Sequence, residues 1–154
     1  PDNVVSVGLG FANYNDAEGG SKRGNMLAAA WAFQFTDNWF VEGFYGRTSV
    51  NDFPAQQTST VVNNFVARLK YNFKAPLYSF IMPYAGFQSQ TVSSPRAGDT
   101  TDPIAADKEI RAVDRLRKQG IAVGVTVLRR LVPGWFLKAD LGTDVLDIGV
   151  AIEF

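Results

Sequence analysis

The last nine residues, Leu146-Asp147-Ile148-Gly149-Val150-Ala151-Ile152-Glu153-Phe154, separate by parity into two unlike sets. The even positions read Leu, Ile, Val, Ile and Phe; the odd positions read Asp, Gly, Ala and Glu. Successive residues of a β-strand point to opposite faces, so this is a strand with one wholly apolar face and one small or charged face.

The same split recurs upstream. Val5, Val7, Leu9 and Phe11 alternate with Ser6, Gly8, Gly10 and Ala12, and Leu27, Ala29, Trp31, Phe33 and Phe35 with Ala28, Ala30, Ala32 and Gln34. In 61–73, Phe65, Ala67, Leu69, Tyr71 and Phe73 oppose Asn64, Arg68, Lys70 and Asn72. In 119–128, Ile121, Val123, Val125 and Val127 oppose Gly120, Ala122, Gly124 and Thr126; in 135–142, Trp135, Leu137, Ala139 and Leu141 oppose Lys138, Asp140 and Gly142. Two segments are less regular. In 80–90, Ile81, Pro83, Ala85 and Phe87 take the apolar face, with Tyr84, Gly86, Gln88 and Gln90 opposite. In 39–48, Val41, Gly43 and Tyr45 take it, because the other choice places Glu42 among apolar side chains without a partner.

These eight segments predict eight strands in a single domain spanning 1–154. Short turns alternate with longer connections. The short turns are Thr36-Asp37-Asn38, Lys74–Ser79 and Arg129–Gly134; the longer connections are 15–22, 51–60 and 92–118, and only the last link, Thr143–Val145, is brief. No apolar run reaches the ~18–20 residues of a membrane-spanning helix. Alternate apolar residues in an even number of strands, short turns at one end and longer loops at the other are instead the pattern of an all-β, antiparallel, up-and-down transmembrane barrel. Aromatics gather near the short turns (Phe33, Phe35, Trp39, Phe40, Tyr71, Phe73, Tyr78, Phe80, Trp135, Phe136, Phe154) and near the loops (Phe11, Tyr14, Tyr45, Phe65, Phe87), as expected of two interfacial belts.

The rival architecture is a soluble, lipocalin-like barrel, with its apolar face inside. The opposite face here is small, rich in glycine and sparsely charged: Glu42, Arg68, Lys70, Lys138, Asp140, Asp147 and Glu153. Several of these fall at similar heights above the short turns. A narrow lumen filled by compensating charges is therefore expected, with a wet outer surface as the alternative.

Here a resemblance can be named. Val150, Ile152 and Phe154, apolar at every second step and ending on phenylalanine, resemble the C-terminal assembly signal of Gram-negative outer-membrane proteins. The stretch Phe35-Thr36-Asp37-Asn38-Trp39-Phe40-Val41-Glu42-Gly43-Phe44-Tyr45-Gly46 resembles the second-to-third-strand hairpin of small OmpA/OmpX-type and OmpW-type barrels. The resemblance implies an outer-membrane location, insertion by the outer-membrane assembly machinery, short turns in the periplasm and loops outside the cell. The chain opens at Pro1-Asp2 directly on a strand pattern, as a mature form is expected to do, and its last strand is expected to end the barrel without a periplasmic domain.

Function is less determined. Fifteen lysines and arginines balance fifteen aspartates and glutamates, so bulk charge indicates no nucleic-acid partner. Cysteine and histidine are both absent, which removes thiolate chemistry and the usual imidazole base for Ser6, Ser49 or Thr126. No cofactor or metal site is expected: Asp99, Asp102 and Asp107 match no calcium-loop spacing. Asp140 and Asp147 could form a paired-carboxylate site, but lumen ion pairs are the expectation. The chain is read as a non-enzymatic, monomeric barrel with a structural or surface-display, adhesion-type role, in contact with outer-membrane lipid and lipopolysaccharide. The alternatives are a narrow channel for small, even apolar, solutes, and the soluble ligand-binding barrel. In 92–118, Asp102-Pro103 resembles a helix start, with a helix to about Val113 as one reading. Extension of the next strand through Arg111–Gln119 is the expectation, and it sets Arg115, Arg117 and Lys118 at the height of lipopolysaccharide phosphates; the stronger alternative is solvated loop charge balanced by Asp107, Glu109 and Asp114.

Overall fold

The computed structural model describes residues 3–15, 21–51, 59–94, 98, 101–115, 117–143 and 145–154. In chain order the strands are β1 (Asn3–Asn15), β2 (Ser21–Thr36), β3 (Trp39–Asn51), β4 (Ser59–Tyr71), β5 (Phe73–Ala75), β6 (Ser79–Ser93), β7 (Lys118–Val132), β8 (Trp135–Gly142) and β9 (Leu146–Glu153). Helix α1 (Pro103–Asp114) lies between β6 and β7. Strands adjacent in sequence pair antiparallel, β9 returns to β1, and β4 pairs with β6 along Val61–Lys70. The tiny β5 prolongs β4 on the edge of β6, so the two form one wall and the sheet closes with eight walls. Over the middle of the barrel every wall is hydrogen-bonded to a neighbour on both sides, the condition for backbone to cross lipid.

The three short turns gather on one rim, together with Asn3 of β1 and Phe154 after β9. Asp37 and Asn38 form a tight turn after a register shift at Gln34/Thr36, and Pro133-Gly134 follows the same plan after a shift at Arg130/Val132. Gly134 has φ +82°, a conformation open to glycine at no steric cost. The third turn puts Leu77 and Tyr78 at φ 61° and 54°, and both side chains are fully outside the barrel. At the closing seam Asn3 and Phe154 exchange backbone hydrogen bonds of 3.2 and 3.0 Å.

The faces follow parity. Outside are Val7, Leu9, Leu27, Trp31, Phe65, Phe87, Ile121 and Ile148, with Ile121 81% and Leu9 66% exposed. Inside are Ser6, Glu42, Arg68, Lys70, Thr126, Lys138 and Asp140, all buried. An apolar exterior around the whole circumference and charges at the core invert the order of a water-soluble domain.

Three particulars differ from the sequence-based expectation. Phe40, Phe80 and Phe136 do not join the aromatic belt at the short-turn rim; they turn into the lumen, because each sits at lumenal parity, one residue out of phase with Trp39, Ile81 and Trp135. The outer belt there is built by Trp39, Tyr71 and Phe73, whose rings meet at centroid distances of 4.9 and 4.7 Å. Secondly, strands run further toward the loop rim than expected, β3 to Asn51 and β6 to Ser93. Thirdly, Arg111–Arg115 does not extend β7. The Asp102 side chain accepts from the N–H of Ile104 at 3.0 Å, Pro103 occupies the first turn, and helix α1 runs to Asp114 with Arg115 as its C-cap. A satisfied N-cap and a proline at the first helical position favour helix where strand alternation is weak. Tyr14's side chain, Glu18, Asp99 and the side chain of Lys118 lie outside the described residues.

Val125 faces outward midway along β7, paired with Pro83 and Leu141. Val125→Arg is expected to destabilise the barrel by ~2–4 kcal/mol in bilayer folding assays, and Phe73→Arg, near the rim, to lose far less to charge burial. Equal and small losses would mean that this face does not meet lipid.

Candidate functional site in the barrel lumen

Each charged lumenal side chain is delivered by parity and set at one height by register. Glu42 pairs with Arg68 across β3 and β4, Phe40 with Lys70, and Thr126 with Asp140 across β7 and β8. In the cyclic strand order β3 and β8 stand diametrically opposite, so their inward side chains meet on the barrel axis.

The meeting point is a compact ion cluster. Arg68 Nη1 lies 2.8 Å from Glu42 Oε1 and 3.4 Å from Asp140 Oδ2. Lys70 Nζ lies 2.8 Å from Glu42 Oε2 and 3.8 Å from Asp140 Oδ1. Lys138 Nζ reaches both acids, at 3.1 Å from Glu42 and 3.4 Å from Asp140. Hydroxyls complete the shell. Lys70 donates to Thr126 Oγ1 (2.7 Å), Lys138 donates to Ser6 Oγ (3.0 Å), and Thr126 donates to Asp140. The Arg68 guanidinium is stacked between two rings, 4.2 Å from the Phe44 centroid and 4.4 Å from that of Tyr84. Arg68, Lys70 and Asp140 are at most 1% exposed, which rules out the wet-surface alternative for them. Charges this deep persist only when paired and hydrogen-bonded, and here each of the two acids faces all three bases.

Long side chains need small neighbours. Gly86 is the cross-strand partner of Arg68, and a Cβ there would sit 2.0 Å from the Ala67 carbonyl oxygen. Gly124 is the partner of Tyr84, and a Cβ there would sit 2.6 Å from the tyrosine hydroxyl. Alanine at either position would push against backbone or the ring that covers Arg68.

Of the seven lumenal charges singled out from sequence, the structure brings five together: Glu42, Arg68, Lys70, Lys138 and Asp140. Asp147 stands beside them as the cross-strand neighbour of Asp140, carboxyl next to carboxyl, and Glu153 lies at the short-turn mouth. Among the described residues neither forms an ion pair within 4.0 Å. Ser6, Thr126, Phe44 and Tyr84 were not singled out as partners of the cluster; shared parity and height are the signal that identifies them.

Apolar layers lie on both sides. Toward the loops, Met26, Ala28, Ala30, Phe44, Val66, Ala122 and Val145 pack together. Toward the short turns, Ala32, Phe40, Met82, Leu128, Phe136 and Ala151 pack together, with Val4 and Phe80 against them. This second layer is not solid. A cavity of about 260 Å³ opens at the short-turn rim and ends at Glu42, Lys70, Thr126 and Lys138. On the loop side of the cluster the void beside Ser6, Phe44, Lys138 and Asp147 is far smaller, about 10 Å³.

Comparison with known proteins identifies the architecture. No protein-family model and no curated protein matches the chain in sequence. Solved structures do match in three dimensions. Neisserial surface protein A superposes with a TM-score of 0.65 at 15% identity, covering 100% of this chain and 99% of that one. Ail, the attachment invasion locus protein of Yersinia pestis, gives 0.63 at 12% identity over 99% and 98%. The outer-membrane protein OprG of Pseudomonas aeruginosa gives 0.61 at 11% identity over 99% and 95%. The chain has the fold of the small eight-stranded outer-membrane barrels.

Removing one partner of a buried ion network leaves charge stranded, at a typical cost of ~3–5 kcal/mol. Glu42→Ala is therefore expected to lower the urea unfolding midpoint in bilayers strongly. Asp107→Ala, which breaks the exposed 3.1 Å pair with Arg111 on α1, should cost at most about 0.5 kcal/mol. Similar small effects for both would show that Glu42 is not held in a buried ion network.

Proposed function

We propose that this chain is an integral outer-membrane barrel, short turns in the periplasm and loops outside the cell, with a structural and surface-contact role rather than enzymatic or channel activity. The observation that carries the reading is the obstruction of the lumen: the ion cluster spans the barrel axis between β3 and β8, with packed apolar side chains above it. An eight-stranded barrel has an interior just wide enough for its own side chains, and here they fill it. What is left for contact with other molecules is the loop crown. Its best-defined part is α1, which packs Val113 against the loop end of β6 and leaves Ile104, Lys108 and Arg111 exposed. The structural neighbour Ail, an attachment invasion locus protein, has been crystallised with the heparin analogue sucrose octasulfate, which supports a contact role for a barrel of this shape. Insertion as a monomer by the outer-membrane assembly machinery, directed by Val150, Ile152 and Phe154 on the lipid face, belongs to the same reading.

Purified protein in planar bilayers is expected to show no sustained single-channel conductance. A steady ohmic step in the unmodified protein would favour the channel reading instead.

Lipopolysaccharide contact is assigned to Arg115, Arg117 and Lys118, where the chain passes from α1 into β7. Arg117 is held by Asp114 (3.7 Å) and the Val92 carbonyl (3.4 Å), an exposed arrangement that a phosphate can displace at little cost. Replacing all three with glutamine is expected to weaken lipopolysaccharide binding by folded protein; unchanged binding would remove these residues from the contact.

A further inference from the structure

The cavity at the short-turn rim, about 260 Å³, combines apolar walls with one unsatisfied polar atom, and the surface-contact role explains neither. Phe40, Phe80, Met82, Leu128 and Phe136 form the walls. Asn72 lines the same space, and its Oδ1 is buried without a hydrogen-bond donor among the described residues. A buried acceptor in that state keeps its full desolvation penalty, so this wall favours an occupant that donates to it. Met82 stands beside Asn72 on the next wall, because Lys70 pairs with Tyr84 and Phe73 with Ile81.

Charge decides against an ion as that occupant. The cavity is lined by three acids, Asp37, Glu42 and Glu153, and by three bases, Lys70, Lys74 and Lys138. The ion cluster at its closed end balances as well, since Asp140 and adjoining Asp147 join Glu42 against Arg68, Lys70 and Lys138. A carboxylate or ammonium entering from water would lose hydration and meet no uncompensated opposite charge. A neutral donor loses far less. One water would satisfy Asn72, but the apolar walls offer further waters few partners. At ~30 Å³ for each water-sized group, the space takes about eight non-hydrogen atoms. An uncharged donor on a short apolar body therefore fits both the volume and the walls.

We propose that this cavity binds a neutral amphiphile, a primary alcohol with a short unbranched alkyl tail. Its hydroxyl donates to Asn72 Oδ1, and its tail lies along Met82, Phe80 and Phe136. The site is entered from the short-turn rim, the periplasmic side on the orientation proposed above. The binding itself depends only on the lumen, so it stands or falls independently of that orientation and of the surface-contact role.

The chain carries a reporter for each half of the lumen. Its two methionines are Met82, in the cavity wall, and Met26, buried on the far side of the ion cluster. With ¹³C-methyl methionine in the full chain, folded in lipid nanodiscs, hexanol is expected to shift the Met82 resonance saturably and leave Met26 in place. Methyl pentyl ether has as many non-hydrogen atoms but no donor, and it is expected to bind about three- to tenfold more weakly at equal free concentration. Hexanoate and hexylammonium are expected to bind more weakly than hexanol too. Asn72→Leu removes the acceptor at similar volume and is expected to erase the preference for hexanol over the ether, with an unchanged Met26 resonance reporting an intact barrel. The comparison of ligands on the unmodified protein decides the matter even where that variant does not fold. A Met82 resonance that ignores hexanol overturns the proposal, and so do methionines that move together, as bulk partitioning would make them. Equal affinity for the ether, or for either ion, overturns it as well.

Discussion

Glu42 carries a carboxylate that is 3% exposed in the middle of the barrel, and its need for paired cations is the constraint at the centre of this molecule. Its two oxygens accept from Arg68, Lys70 and Lys138, donors carried by β4 and by the opposite wall β8. Because an isolated buried charge is far costlier than a paired one, the register of these strands is coupled to the pairing. A slip of one residue in β3 would turn Glu42 to lipid and Val41 or Gly43 inward. The same demand explains the glycines at the cluster's height and the two aromatic rings that enclose Arg68. Buried ion networks contribute uncertainly to net stability when compared with apolar packing, so we assign this one chiefly to specifying closure and register.

Much of this was legible in the sequence because a β-barrel has a period of two and a single inside. Once Leu146–Phe154 is divided by parity, the lipid face and the lumen of each wall follow, and Glu42, Arg68, Lys70, Lys138 and Asp140 fall on one side. Parity also holds the information that height alone misread: Phe40, Phe80 and Phe136 sit near the rim, but at lumenal positions, and they line the short-turn cavity instead of joining the belt. Asp147 and Glu153 share the lumenal parity without sharing the cluster. The register of β9 sets Asp147 against another acid and Glu153 one turn of the pleat beyond Ala151, at the mouth. Around the barrel, which walls face each other depends on the number and closure of strands, and no local pattern encodes that distance.

The segment after β6 was the place where two local signals competed. Arginines at alternate positions near Arg115 and Arg117 look like strand parity, whereas Asp102-Pro103 is a helix start with a physical mechanism. Capping prevailed, since the side-chain oxygen of Asp102 satisfies a backbone donor that a strand in this exposed position would leave to water. The outcome changes the crown from a flat ladder of arginines to a helix whose exposed Arg111 pairs with exposed Asp107. The obstructed lumen leaves the exposed outer surface, with its helical crown, as the part suited to contact.

The central claim is that the cluster acts as one coupled unit across the barrel axis, and a double-mutant cycle on Glu42→Gln and Lys138→Met, read by reversible unfolding in lipid bilayers, tests it most directly. Groups in one hydrogen-bonded ion network show coupling on the order of 0.5–3 kcal/mol, and a value in that range is expected for this pair on opposite walls. Additivity within about 0.3 kcal/mol would contradict the account, because it would mean that the two walls do not meet through these side chains.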